Sequence, residues 1–192
     1  MLPMRHLAAL SLALLSPLAI GVPQTLTVVD ATGRPVPQAA VSVLVKGARL
    51  TSGATADMAQ RSRNFDPYVL VVQTGTAVSF PNFDTVRHHV YSFSPIKSFE
   101  IKLYAGTPAA PVVFDRPGTA TLGCNIHDRM VAYIHVVDTP HFGTTNAAGQ
   151  LTLDLPAGDH VVRVWAPLMG EQATPHQAPL RTGVPLTIRL PA

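Results

Sequence analysis

The sequence is poor in charge, in aromatic side chains and in cysteine. Charged residues make up 13% of its 192 positions, aromatic residues make up 6%, and the formal net charge is only +3. The lysines and arginines form no cluster, which excludes the basic patch by which proteins bind nucleic acid. A single cysteine, Cys124, excludes a disulfide within the chain.

Stretches that favour helices are also scarce, because 18 prolines and 13 glycines interrupt the chain. Short β-branched or alternating runs are present instead, as strands require. Such runs occupy residues 25–30, 41–46, 68–72, 99–104 and 131–137. We therefore predict an all-β fold, a Greek-key sandwich. Residues 47–64 and 168–181 show no strong period, and we expect them to be connections.

The first 21 residues have the pattern of a signal peptide. Arg5 supplies a basic start, residues 7–20 are almost wholly apolar, and Ala19 and Gly21 are small residues at the two cleavage positions. No later segment is long and apolar enough to cross a bilayer. We therefore expect residues 1–21 to be removed and the remainder to be a periplasmic protein without a membrane span.

The cysteine lies in a short segment with two other metal-binding side chains, residues 123–130 (GCNIHDRM). Cys124, His127 and Met130 supply a thiolate, an imidazole and a thioether, which together suit a soft transition metal. An unpaired thiol in an oxidising compartment is prone to oxidation unless a ligand occupies it. With a second imidazole, the set is one that most often binds copper.

Two adjacent histidines, His88 and His89, offer that second imidazole at the end of a predicted strand. Neighbouring residues of a strand point to opposite faces of the sheet, so only one of the two can bind unless the backbone bends. Alternation by itself does not say which one.

The combined motifs resemble those of the cupredoxins, the plastocyanin-like copper proteins. The resemblance covers about residues 57–137 and rests on Phe65-x-Pro67, on a segment from Gly75 to Asn82, on His88-x-Val90 and on the ligand segment. It implies one mononuclear type 1 copper ion held by His88, Cys124, His127 and Met130. It also implies one-electron transfer to and from periplasmic redox proteins.

Two further resemblances concern the protein's context. Arg87-His88-His89-Val90-Tyr91-Ser92-Phe93-Ser94 and Gly123-Cys124-Asn125-Ile126-His127-Asp128 are similar to segments of plastocyanin-like methylamine utilization proteins, which implies a carrier serving amine oxidation. Residues 22–50 and 139–192 resemble the two halves of a carboxypeptidase regulatory-like, transthyretin-like sandwich. The copper domain at residues 57–137 would then be inserted in, or flanked by, this second small β-sandwich; the alternative is one continuous domain with extra edge strands.

Three classes of function remain open on these patterns. The first is a blue-copper electron carrier, the second is a periplasmic copper chaperone or sensor, and the third is a metal-free β-sandwich that binds another molecule. An enzyme is not expected, because a Cys-His hydrolase needs an oriented third group and an oxyanion site that the sequence does not indicate.

Overall fold

A computed structural model describes residues 21–108 and 110–191. Its regular structure is almost entirely strand, with one short 3₁₀ helix at Pro167–Met169. The strands are β1 (Val22–Val29), β2 (Ala40–Leu44), β3 (Thr55–Asp57), β4 (Ala59–Arg61), β5 (Asn64–Asp66), β6 (Val69–Gln73), β7 (Thr76–Ser79), β8 (His88–Ser94), β9 (Lys97–Tyr104), β10 (Val112–Phe114), β11 (Gly118–Gly123), β12 (Val131–Val137), β13 (Phe142–Thr144), β14 (Gln150–Leu155), β15 (Asp159–Trp165), β16 (His176–Arg181) and β17 (Leu186–Arg189).

Two sheets from the middle of the chain enclose the first core. One has the strand order β6-β12-β11-β8-β9 and the other the order β10-β7-β3. Alternating apolar residues of these strands form a buried cluster that includes Val90, Leu122, Ile134 and Val78. Cys124 and Met130 belong to the same buried cluster, so the predicted ligand segment is attached directly to this core.

Two other sheets enclose a second core that draws on both ends of the described chain. Their strand orders are β14-β1-β17 and β13-β2-β15-β16. Strand β1 pairs in parallel with β17, the last strand, so Leu26 lies opposite Leu186. The second core contains Leu26, Val41, Val164 and Ile188. Strands from before and after the middle part of the chain therefore pair with each other and share this second core.

An aromatic cluster joins the two cores. Trp165 of β15 is fully buried, and its ring stacks on His135 of β12 with centroids 5.2 Å apart and an angle of 7°. Tyr133 of β12 meets the same indole edge to face at 5.3 Å. Close to this contact, Arg163 forms an ion pair with Asp138 at 3.1 Å. We call the two sheets around the second core the second sandwich, and those around the first core the first sandwich. Through Trp165, the second sandwich covers the face of β12 that points away from the first core.

Two of the expected connections contain strands. Residues 47–64 include β3, β4 and the start of β5, whose three-residue lengths are too short to show a period. Residues 168–181 include β16, which contains Pro179. A proline in the sequence argues against a strand because it lacks a backbone N–H. However, β16 lies at the edge of its sheet, where a missing N–H is tolerated.

The predicted all-β sandwich fold is confirmed. The domain boundaries at 22–50, 57–137 and 139–192 stay predictions, as does the likeness of the flanks to a carboxypeptidase regulatory-like sandwich. The predicted signal peptide lies outside the described residues except for Gly21. Within the described part of the chain, no helix has the length and apolar character needed to span a membrane.

The buried His135 predicts a pH dependence of stability. Burial lowers the pKa of His135 to about 4 from the ordinary 6.5, so the unfolded chain takes up a proton at a higher pH than the folded chain does. Stability is therefore lost as the pH falls from about 7 to about 4, by about 3 kcal/mol. Urea unfolding of the copper-free protein at both pH values should show this loss. Over the same pH range, the loss of unfolding free energy in the His135→Gln variant should be smaller by about 3 kcal/mol. An equal loss in the original protein and in the variant would contradict the prediction.

Candidate metal centre

The register of two strands brings the predicted ligands to one end of the first sandwich. Strand β8 runs antiparallel to β11, and Tyr91 lies opposite Gly123. His88, three residues before Tyr91 on β8, is therefore placed opposite the loop that follows Gly123. This loop contains Cys124, His127 and Met130 and leads into β12. Inside it, the N–H of Met130 donates to the carbonyl of His127 at 2.8 Å, which turns the chain back over the end of the sheet.

The ligand atoms of His88, Cys124 and His127 all lie within 4.8 Å of one another. Cys124 Sγ is 4.0 Å from His88 Nδ1 and 3.9 Å from His127 Nδ1. Sulfur and nitrogen ligands of one first-row transition ion stand about 2.3 and 2.0 Å from it, which sets them about 3.5–3.8 Å apart in tetrahedral or trigonal geometry. The same ring nitrogen of each histidine thus faces the sulfur across a space that fits one ion.

Burial differs among the four predicted ligands. His88 is fully buried, Cys124 is 4% exposed and Met130 is 1% exposed. His127 is half-buried, and its neighbour Ile126 is 47% exposed. One imidazole therefore lies close to the surface while the other donors are enclosed. Met130 is packed in the same cluster as Cys124, and its role as an axial ligand stays a prediction.

The two adjacent histidines point to different surroundings. The ring of His88 faces Cys124, whereas His89 Nε2 contacts Glu100 Oε1 at 2.8 Å and its ring lies 5.6 Å from that of Tyr91. The pairing of β8 with β9 is irregular between His88 and Val90, but the two side chains still alternate in direction. Only His88 of this pair joins the cluster. His89 Nδ1 is buried and has no hydrogen-bond partner among the described residues.

Packing explains the glycine before the cysteine. A Cβ at Gly123 would lie 2.6 Å from Cζ of Tyr91, because the tyrosine ring lies across this point of β11. Backbone and ring can approach closely only where the side chain is absent. The ring of Tyr91 therefore packs on the backbone directly before Cys124, and Cys124 itself lies in the first core.

The sequence pattern does not predict one acidic residue of the site, Asp84. Asp84 Oδ2 lies 2.7 Å from His88 Nε2, the ring nitrogen that faces away from Cys124. Burial alone would raise the pKa of Asp84, but the N–H of Arg63 and the ring of His88 outweigh that effect and hold the pKa below its ordinary value. An ionised carboxylate is only an acceptor, so this contact suits a hydrogen bond donated by the Nε2–H of His88. The spacing of four residues between Asp84 and His88 was the only signal in the sequence.

Comparisons with known proteins give no sequence family for this chain. No family model matches, and no curated protein matches. Among solved structures, the chain is similar to a purple cupredoxin from Nitrosopumilus maritimus, with 21% identity, coverage of 44% of this chain and 99% of that chain, and a TM-score of 0.37. It is also similar to a reduced mutant of amicyanin, with 15% identity, coverage of 50% and 98%, and a TM-score of 0.39.

A third similar structure is a copper-containing nitrite reductase from Thermus scotoductus SA-01. It shares 24% identity over 58% of this chain and 28% of that chain, with a TM-score of 0.40. All three similarities are limited in identity and in TM-score. The chemical interpretation of the site therefore rests on the donor atoms and their distances.

Because His88 faces Cys124 and His89 faces Glu100, the same substitution at the two positions should affect copper binding differently. His88→Gln should remove most of the affinity for copper, because it deletes an imidazole that faces Cys124 Sγ. His89→Gln should leave the affinity within a few-fold of the original. Copper titration by calorimetry measures the affinities, and far-ultraviolet circular dichroism shows whether each variant is folded. Loss of binding in His89→Gln with retention in His88→Gln would contradict the assignment.

Proposed function

We propose that this protein is a cupredoxin-type, blue-copper electron-transfer protein with one mononuclear type 1 copper ion. The observation that carries the proposal is the convergence of the Cys124 sulfur with one ring nitrogen each of His88 and His127, all within 4.8 Å of one another, at one end of a β-sandwich. Thiolate and thioether donors suit the reduced ion, and imidazole suits both oxidation states. The proposed ligands are His88, Cys124, His127 and the axial Met130. When bound, the ion supplies reversible one-electron chemistry.

The surroundings of the donors support electron transfer over copper delivery. His88 begins β8 and is fully buried, and Cys124 directly follows β11 and belongs to the first core. Asp84 contacts His88 Nε2, and Tyr91 packs against Gly123, the residue before Cys124. A site held in this way changes little between oxidation states, whereas delivery requires a site that opens readily. The half-buried His127 brings one donor near the surface, where an electron can enter or leave.

We further propose that the protein works in the periplasm and exchanges electrons with other periplasmic redox proteins. The signal-peptide pattern of residues 1–21 supports this location, and so does an unpaired cysteine that a metal ion would protect from oxidation. The resemblance to methylamine utilization proteins favours amine oxidation as the process that supplies the electrons.

The thiolate predicts an intense colour. Copper-loaded protein should show a strong visible absorption from charge transfer between Cys124 Sγ and copper(II), with the narrow hyperfine splitting of a type 1 site in electron paramagnetic resonance. Cys124→Ser should abolish the band while the fold is retained. A colourless protein that holds one equivalent of copper(II) would contradict the proposal, and rapid loss of copper to a chelator without reversible redox would favour a chaperone.

The predicted axial thioether can be tested against a methionine in the same core. Met130→Leu keeps an apolar side chain of similar volume, so the thiolate band should remain while the reduction potential shifts, since axial ligands tune it. Met58→Leu is the matched control, because Met58 is equally buried in the same cluster and lies outside the ligand segment. Cyclic voltammetry measures the reduction potentials of the two variants. Equal potentials in the two variants would remove Met130 from the ligand set.

A further inference from the structure

Asp84 joins the candidate metal centre to the hairpin formed by β4 and β5, which is a separate two-stranded sheet. Its Oδ2 lies 2.7 Å from Nε2 of the fully buried His88. The backbone N–H of Ser62 donates to Oδ1 at 2.7 Å, and the N–H of Arg63 donates to Oδ2 at 2.9 Å. Two backbone N–H groups and one imidazole nitrogen therefore converge on one side chain. A carboxylate can accept all three, whereas an amide has only one acceptor oxygen.

The two backbone donors come from a turn with an uncommon conformation. Arg61 and Asn64 pair across β4 and β5, so Ser62 and Arg63 are the two central residues of a hairpin. Their φ values are +51° and +59°, the left-handed region in which a residue with a side chain costs about 1–2 kcal/mol. Hairpins of this kind usually place Asn or Gly there. The contacts with Asp84 offset this strain.

Asp84 is also held from its own side. Its backbone N–H donates to Oδ1 of Asn82 at 2.9 Å, and Nδ2 of Asn82 donates to the carbonyl of Val86 at 2.9 Å. Asn82 is itself buried. The loop that precedes β8 is therefore closed by its own side chains, and the carboxylate has little freedom to leave the ring of His88.

From these contacts we propose that Asp84 is a positioning residue for His88, and that the Ser62–Arg63 turn holds Asp84 in place. The carboxylate fixes the His88 tautomer that carries its proton on Nε2, so that the Nδ1 lone pair faces Cys124 Sγ. Its negative charge also favours the more positive of two metal oxidation states. The inference rests on the proposed function for its effect on copper, but the effect on the tautomer concerns the protein alone.

The test compares Asp84→Asn with Asp66→Asn, which removes the same charge from an exposed side chain on β5. Loss of an outer hydrogen-bond partner of a metal ligand costs about tenfold or more in metal affinity. If the loss falls on copper(II), a tenfold change raises the one-electron reduction potential by about 59 mV. Spectroelectrochemistry should show this rise for Asp84→Asn and a much smaller change for Asp66→Asn.

Two measurements on copper-free protein complete the test. Nitrogen-15 NMR of the histidine rings should show His88 protonated on Nε2 in the original protein and in Asp66→Asn, and a mixture of tautomers in Asp84→Asn. Amide hydrogen exchange at Ser62 and Arg63 should accelerate in Asp84→Asn alone. If Asp84→Asn does not fold, Asp84→Glu, which keeps the charge and displaces it by one methylene, should give smaller changes in the same directions.

An unchanged His88 tautomer and unchanged turn exchange in Asp84→Asn would overturn the proposal. If Asp84→Asn alters the His88 tautomer but leaves the reduction potential unchanged, the proposed effect of the Asp84 charge on the metal oxidation state is wrong. Failure of the original protein to form a type 1 copper site would overturn the proposed function, whereas the copper-free measurements would still decide the role of Asp84.

Discussion

The main physical constraint on this fold is that the candidate metal-ligating atoms of His88 and Cys124 are enclosed in an apolar core. His88 and Cys124 are almost completely buried, yet their closest mutual contact is a sulfur–nitrogen distance of 4.0 Å. Such a contact is a weak hydrogen bond, and buried polar atoms without strong partners lower stability. Asp84 satisfies only the far nitrogen of His88. A metal ion between the near atoms would supply the missing compensation, so the cluster is coherent as a binding site and costly as simple packing.

The sandwich solves the problem of placing these donors. An antiparallel register between β8 and β11 sets His88 opposite the loop after Gly123, and this fixes the position of one donor relative to the rest. The close contact of Tyr91 with Gly123 then limits the movement of Cys124. Neighbours in sequence supply three of the proposed donors, but the fourth arrives only through strand pairing. The core that stabilises the fold therefore also determines the distances within the site.

Sequence reasoning is most informative where a pattern is local. Cys124, His127 and Met130 lie within seven residues, and the structure brings Cys124 and His127 together with His88, while metal binding by these residues and the role of Met130 stay predictions. Strand alternation explains why His88 and His89 face different ways. Sequence reasoning missed Asp84, because nothing near Asp84 shows that the N–H groups of Ser62 and Arg63 arrive from another hairpin. It also missed strands of three residues and an edge strand with a proline. These features are decided by tertiary pairing, which overrides local propensity.

The second sandwich contributes to the site indirectly. Strand β12 begins directly after Met130, so its position limits how far the ligand loop can shift. Its outer face is covered by Trp165, which stacks on His135 and meets Tyr133 edge to face. Buried aromatic contacts of this kind add about 0.5–1.5 kcal/mol beyond the burial of their area. Ala132, Ile134 and Val136 of β12 pack in the first core, while Tyr133 and His135 pack on Trp165. The strand that follows the ligand loop is therefore packed on both faces.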